Sequence, residues 1–192
     1  DLNEYNYNVE SVQGEMYYVI DIPAQKTRFL MMNSCDDETA GSVAWGVRYT
    51  VSAKQLTWML EKLTEKEGWN YIIVSHVSAD PDVDDYDVSQ REIHNICKAV
   101  NNHGTYGSYD FTNTTNEIVC HIVGHNHRDE SHVLDNVLTI STTSDANYTD
   151  GGHYRGSGTV YEQAIDVFTI NYENRTISAY RVGGGNNRSW AY

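Results

Sequence analysis

At 192 residues with 40% apolar side chains, the chain is long enough to bury the core of one domain. Its formal net charge of −14 opposes a phosphate backbone, and no lysine or arginine stripe with interleaved aromatics relieves that field, so duplex nucleic acid is excluded as a scaffold partner. No stretch approaches the ~20 apolar residues of a membrane span, and no basic segment followed by an apolar one reads as a signal peptide.

Residues 1–14 are polar and tyrosine-rich and read as a frayed lead-in. Tyr17 to Ile22 and Thr27 to Asn33 read as two strands joined through Pro23-Ala-Gln-Lys as a hairpin. A loop runs from Cys35 to Tyr49. Ser52 and Gln55 then stand at capping-box spacing, and Leu56, Met59, Leu60 and Leu63 recur at helical spacing. That predicts a helix over 52–67, closed by Gly68. An apolar strand from Tyr71 follows. Ser89 and Glu92 repeat the cap ahead of Ile93, Ile96, Cys97 and Val100, predicting a second helix to 102 that ends in His103-Gly104. A polar loop over 105–116 precedes strands at 117–123, 137–141, 164–170 and 176–182, the last two joined by a short hairpin connection through Asn171–Arg175. Gly183-Gly-Gly-Asn-Asn reads as a terminal turn. Crossovers containing helices come first and hairpins later. The expected class is therefore α/β (α+β), a mixed β-sheet with flanking helices, in a single domain over 1–192.

Cys35, Cys97 and Cys120 form an odd set without Cys-x-x-Cys, which implies no disulfide framework and favours a reducing compartment. Cys97 and Cys120 read as small apolar core residues. The acidic run from Asp80 to Asp87 lacks the glycine and the twelfth-position glutamate of a calcium loop and reads as a solvated acidic loop.

Two segments carry chemistry. The apolar run Ile118–Val123 leads directly into Gly124-His125-Asn126-His127. Extended backbone would aim His125 and His127 the same way, since side chains repeat every second residue, and Gly124 would let the chain leave the strand freely. Tyr71-Ile-Ile-Val-Ser-His76 is a second apolar run ending in histidine. Two buried strands delivering imidazoles at their carboxyl ends point to a transition-metal site of His76, His125 and His127. His121 reads as a packed histidine on the strand, in line with Val119 and Val123. Asp129, His132 and Asp145 are candidates to orient the imidazoles.

Ser75-His76 followed by Gly124-His125-Asn126-His127 resembles the last two motifs of the calcineurin-like metallophosphoesterases. The close of the chain, with Arg181-Val-Gly-Gly-Gly and Asn187-Arg188, is similar to phage- and gut-bacterium-type members. The resemblance spans residues 17–192. It implies a four-layer αββα sandwich of which this chain corresponds to about half. It also implies two divalent metal ions (Mn, Fe or Zn) and hydrolysis of small phosphate mono- or diesters. His76 and His125 would serve one ion and His127 the other. The family's earlier motifs, Asp-x-His, Gly-Asp-x-x-Asp and Gly-Asn-His-Asp or Glu, do not occur in the sequence. The resemblance therefore implies a C-terminal half whose partner is the N-terminal half of the domain, which by itself holds at most one ion and is catalytically poor. An uncovered sheet edge would favour self-association of such a half.

Two other readings stand beside this one. Fifteen tyrosines and abundant asparagine suit a non-catalytic β-rich structural or binding module of a phage tail or cell surface. A mononuclear zinc hydrolase could use the three histidines alone. The separation of the three rings discriminates between hydrolase and binding module.

Overall fold

The computed structural model describes residues 7–36, 49–80, 88–146 and 154–192. In chain order they form β1 (Asn8–Ser11), β2 (Tyr18–Ile22), β3 (Thr27–Met31), α1 (Ala53–Thr64), β4 (Asn70–Val74), α2 (Val88–Asn101), β5 (Thr105–Tyr106) and β6 (Tyr109–Asp110). These are followed by β7 (Glu117–Val123), β8 (Glu130–Leu134), β9 (Val137–Ser141), β10 (Ala164–Asn171), β11 (Thr176–Gly183) and β12 (Arg188–Ala191). The architecture is mixed α+β, as the alternation of helical and strand periodicities predicts.

A seven-stranded sheet has the order β1-β2-β3-β4-β7-β9-β8. Its centre, β3, β4, β7 and β9, is parallel, and the flanking pairs are antiparallel. The parallel pairs β3–β4 and β4–β7 are joined by crossovers carrying α1 and α2, the connection that parallel neighbours require. Both helices pack on one face. Trp58, Met59 and Leu63 of α1 and Ile93, Ile96 and Val100 of α2 meet Val19, Leu30, Tyr71 and Ile73. On the other face Ile72, Cys120, Leu138 and Ile140 pack against Ile177, with Phe168, Ile170 and Trp190 at the margin. Those partners belong to a three-stranded antiparallel sheet, β10-β11-β12. The layers are therefore helices, large sheet, small sheet.

A β-bulge in β7 decides which residues face which layer. Tyr71 pairs with Ile118, but Ile72 pairs with Cys120, leaving Val119 as the extra residue. Val119 joins Cys120 in the core between the sheets. It does not share a face with His121, as plain alternation predicted. His121 is 2% exposed and has His94 of α2 and Asp80 as its ionisable neighbours. It is a packed histidine, as expected.

Five short strands, β1, β5, β6, β8 and β12, depart from the sequence reading. Asn8–Ser11 is not frayed; it pairs antiparallel with β2 from Asn8↔Asp21 to Ser11↔Tyr18. The 105–116 segment holds the small β5–β6 hairpin, and β8 adds an antiparallel edge beyond β9. The capping box at α1 is half realised. Ser52 Oγ accepts from Gln55 N at 3.1 Å, but the Gln55 side chain turns to the backbone N and O of Asn33 at 2.8 and 2.9 Å, and Ser52 N donates to Asp36 at 2.7 Å. Helix α2 already includes Val88, so Ser89 lies inside it and is not its cap. All three cysteines are free, with Cys97 and Cys120 buried.

The end of α2 follows its signal. Gly104 N donates to Ala99 O at 2.8 Å and His103 N to Val100 O at 3.2 Å, a Schellman pairing with His103 in the left-handed position at φ +50°. A side chain is disfavoured there. We expect His103→Gly to stabilise the protein by about 0.5–1 kcal/mol; a urea midpoint at or below that of the parent would refute this.

Candidate metal centre

Strands β4 and β7 are parallel neighbours, so their carboxyl ends open on the same edge of the sheet, where open α/β sheets gather ligands. His76 follows β4 and Gly124 to His127 follow β7. The two segments are tied together by Ser75 N to Ile122 O at 3.1 Å and Gly124 N to His76 O at 3.0 Å. As a result His76 Nε2 and His125 Nδ1 stand 3.0 Å apart, with ring centroids at 4.9 Å and planes at 83°.

That separation fits two descriptions. One imidazole can donate its N–H to the lone pair of the other. Alternatively, both lone pairs can face one ion, because ligand bonds of about 2.1 Å span 3.0 Å at close to a right angle. Burial pushes the His76 pKa down, and His127 adds to the shift. For His125 burial again comes first, followed by His76 and His127. The neutral ring is thereby favoured, and neutral imidazole is the form that binds metal.

The third ring is placed differently. Extended backbone would have aligned His125 with His127, but both adopt left-handed backbone, at φ +68° and +56°. Two non-glycine residues in that region within one turn cost on the order of 1 kcal/mol or more each. Such strain persists only where the surroundings hold it. Gly124 does not absorb it: its φ is not in the left-handed region, and an added Cβ would meet His76 only at ordinary contact distances of 3.8–3.9 Å. His127 is close enough to act electrostatically on both other histidines. Among the described residues, however, no three His, Cys, Asp or Glu side chains are arranged to hold one ion. The donor set fits a two-imidazole partial site.

Asn126 knots the turn from within. Its Oδ1 accepts from Ser141 Oγ at 2.7 Å and from Arg128 N at 3.3 Å, and its amide donates to Glu130. From the β9 end, Thr143 Oγ1 donates to His127 O at 2.9 Å. Beneath His76, His121 Nε2 lies 2.7 Å from Ser75 Oγ, which donates to Val77 O at 2.6 Å. With that serine proton directed to the carbonyl, His121 is the donor to Ser75, and the hydroxyl is not poised as a nucleophile.

The residues expected to orient the imidazoles have other partners. The Asp129 carboxylate accepts from Arg181 at 2.7 Å, Thr143 N at 3.0 Å and lies 3.0 Å from Arg188, so it faces the small sheet and not a ring. His132 Nδ1 lies 2.9 Å from Asp80 Oδ2. Asp80 itself is fully buried, which corrects its reading as part of a solvated loop; residues 81–87 lie outside the described residues. Asp145 contributes its backbone carbonyl to Arg155. Tyr49, at the end of the segment that reads as a loop, is the ring wall of the site, 4.6 Å from His125 and 6.0 Å from His76 by centroid. No local pattern marks it.

A cleft of about 560 Å³ opens elsewhere, at the amino-terminal end of β7, between Asn101, Ile118, Leu138, Arg175 and Tyr192. Asn101 and Arg175, which line it, are already engaged. Asn101 bonds the backbone of Ile118 in both directions, at 2.8 and 2.9 Å, and Arg175 pairs with Glu117. The unusual chemistry lies at the histidine edge, and size alone does not move it. No family model matches this chain, and no curated protein matches it.

Proposed function

We propose that this chain carries the histidine ligands of a metal-dependent phosphoesterase acting on small phosphate mono- or diesters. The observation that supports this reading is the His76–His125 contact of 3.0 Å, built where two adjacent parallel strands end. In this proposal His76 and His125 hold one divalent ion (Mn, Fe or Zn), and His127 belongs to a second ion. The remaining ligands come from a segment outside this sequence, because the carboxylate motifs that would complete both shells do not occur in it. Such ions, if bound, would supply Lewis acidity for activating water and polarising phosphoryl oxygens. The chain's own residues bind and orient. His76 and His125 present lone pairs of rings held toward the neutral form, Tyr49 walls one side, and Asn126 fixes the turn.

The test is metal stoichiometry by elemental analysis after incubation with manganese or zinc, beside His125→Ala. We expect about one ion or less per isolated chain, with affinity falling in the variant by more than the roughly 10–100-fold that an outer-shell partner contributes. Equal metal content in both proteins at all concentrations would sink the reading.

One observation favours a second reading, the non-catalytic binding module. Ile165, Val167, Tyr180 and Val182 are each about half exposed on the outer face of β10–β11, paired across the strands as Ile165↔Val182 and Val167↔Tyr180. A protein that fails the metal test yet remains folded would be better explained by that face.

A further inference from the structure

The turn that carries His125 and His127 is strained and lies partly at the surface, so something must hold it. The small sheet supplies the hold. Arg181 of β11, with its side chain 2% exposed, gives Nε and Nη2 to Asp166 of β10 at 2.7 and 3.0 Å. The same Nη2 reaches Asp129 at 2.7 Å. Arg188 of β12 repeats the arrangement. It bonds Asp166, approaches Asp129 at 3.0 Å, and gives Nη1 to Ser141 O at 3.0 Å. Two guanidiniums are thus shared between two carboxylates, one inside the small sheet and one two residues beyond His127. Charge-assisted bonds of this kind are about twice as strong as neutral ones and directional.

The glycine run after β11 is shaped around this centre. Arg181 Nη1 donates to Gly184 O at 2.6 Å. A Cβ on Gly185, which has φ +119°, would fall 2.2 Å from that same Nη1. Only glycine lets the backbone close over the guanidinium there. Asn187 Oδ1 accepts from Arg181 N at 2.8 Å and completes the wrap. The Gly183-Gly-Gly-Asn-Asn turn therefore has a task beyond ending a strand.

We infer that Arg181 and Arg188 are positioning residues for the histidine turn, acting through Asp129, so that the small sheet sets where His125 meets His76. The inference rests on the reading of His125 and His127 as ligands only for its effect on metal; the ring placement it describes exists without metal.

The test is Asp129→Ala, which leaves both arginines paired with Asp166, in the full chain with folding checked by circular dichroism. Two readouts are taken. One is the ring-to-ring nuclear Overhauser effect between His76 and His125 in metal-free protein; the other is zinc affinity. We expect the ring contact to be lost and the affinity to fall roughly 10–100-fold, the scale of an outer-shell partner, with Asp129→Glu restoring part of both. Asp129→Asn keeps the shape and the Thr143 contact and takes the place of the alanine variant if that one does not fold. A folded variant with the ring contact and affinity of the parent overturns the inference. A parent that shows the ring contact but binds no zinc sinks the metal reading and leaves the contact as the deciding readout.

Discussion

Arg28→Ala is expected to destabilise the protein by about 3–5 kcal/mol, a fall in melting temperature of roughly 6–20 °C for a domain of this size. The Arg28 side chain is 1% exposed and forks onto Asp21 at 2.6 and 2.9 Å. Its remaining nitrogen donates to Lys62 O at 3.0 Å and to Glu65 at 2.9 Å, which ties the end of α1 to the sheet. Burial works against the guanidinium charge, yet the bonds from Asp21 and Glu65 raise its pKa above the usual value. For Asp21 burial pushes upward, and the bonds and charges of Arg28 and Lys66 together more than reverse it.

Truncating Arg28 leaves the Asp21 carboxylate, in a residue 7% exposed, without its main partner. That orphaned charge is the source of the large cost. Since the folded Asp21 pKa is depressed, the pair's contribution is present above the unfolded carboxylate range and is lost as pH falls through the folded value. Denaturant melts at neutral pH measure the effect. Pairing Arg28→Met with Asp21→Leu should recover part of the loss, because no unpaired charge remains. A single-variant cost below about 1 kcal/mol would mean that water reaches Asp21 and solvates it.

The second large effect is acid destabilisation through His121. Burial, followed by repulsion from His94 and opposed by Asp80, pushes its pKa down to about 3, against an ordinary value of about 6.5. A depressed histidine means that the unfolded chain takes up a proton before the folded one does. Stability is therefore full above the unfolded pKa and declines as pH falls from about 6.5 toward 3. At one proton per molecule the slope approaches about 1.4 kcal/mol per pH unit, so roughly 2 kcal/mol is lost between pH 8 and pH 5. His76 and His125 shift in the same direction and add to the loss, though solvent screens them more. Carboxylates such as Asp21 and Asp129 join only near and below their own range. Urea melts at pH 8, 6 and 5 check this, with His121→Gln keeping a polar side chain that does not titrate. A variant with the same pH dependence as the parent would place the effect elsewhere.

Long, half-buried elements were legible because their signal is local. Leu56 to Leu63 and Ile93 to Val100 repeat at helical spacing, and β4, β7 and β9 are runs of apolar residues with almost every position buried. The strands that escaped are edges. β1 is exposed at all its positions, and β8 and β12 alternate between exposed and half-buried. An edge strand that buries so little needs no apolar run, and only its neighbour's unpaired backbone calls it into the sheet. The bulge at Val119 was likewise invisible. It arises from register against β4, a partner more than forty residues away.

For the candidate site, sequence alone determined which side chains end β4 and β7, because apolar runs terminating in Ser75-His76 and Gly124-His125 are local patterns. It did not determine how the rings stand. Left-handed backbone at His125 and His127 overrides the two-residue period, and that conformation is held by contacts distant in the chain. Tyr49 comes from a loop, and Arg181 and Arg188 reach Asp129 from more than fifty residues away. An ion pair or ring contact depends on two segments meeting: the rings meet because β4 and β7 are parallel neighbours, and the ion pairs form because the small sheet stacks on the large one.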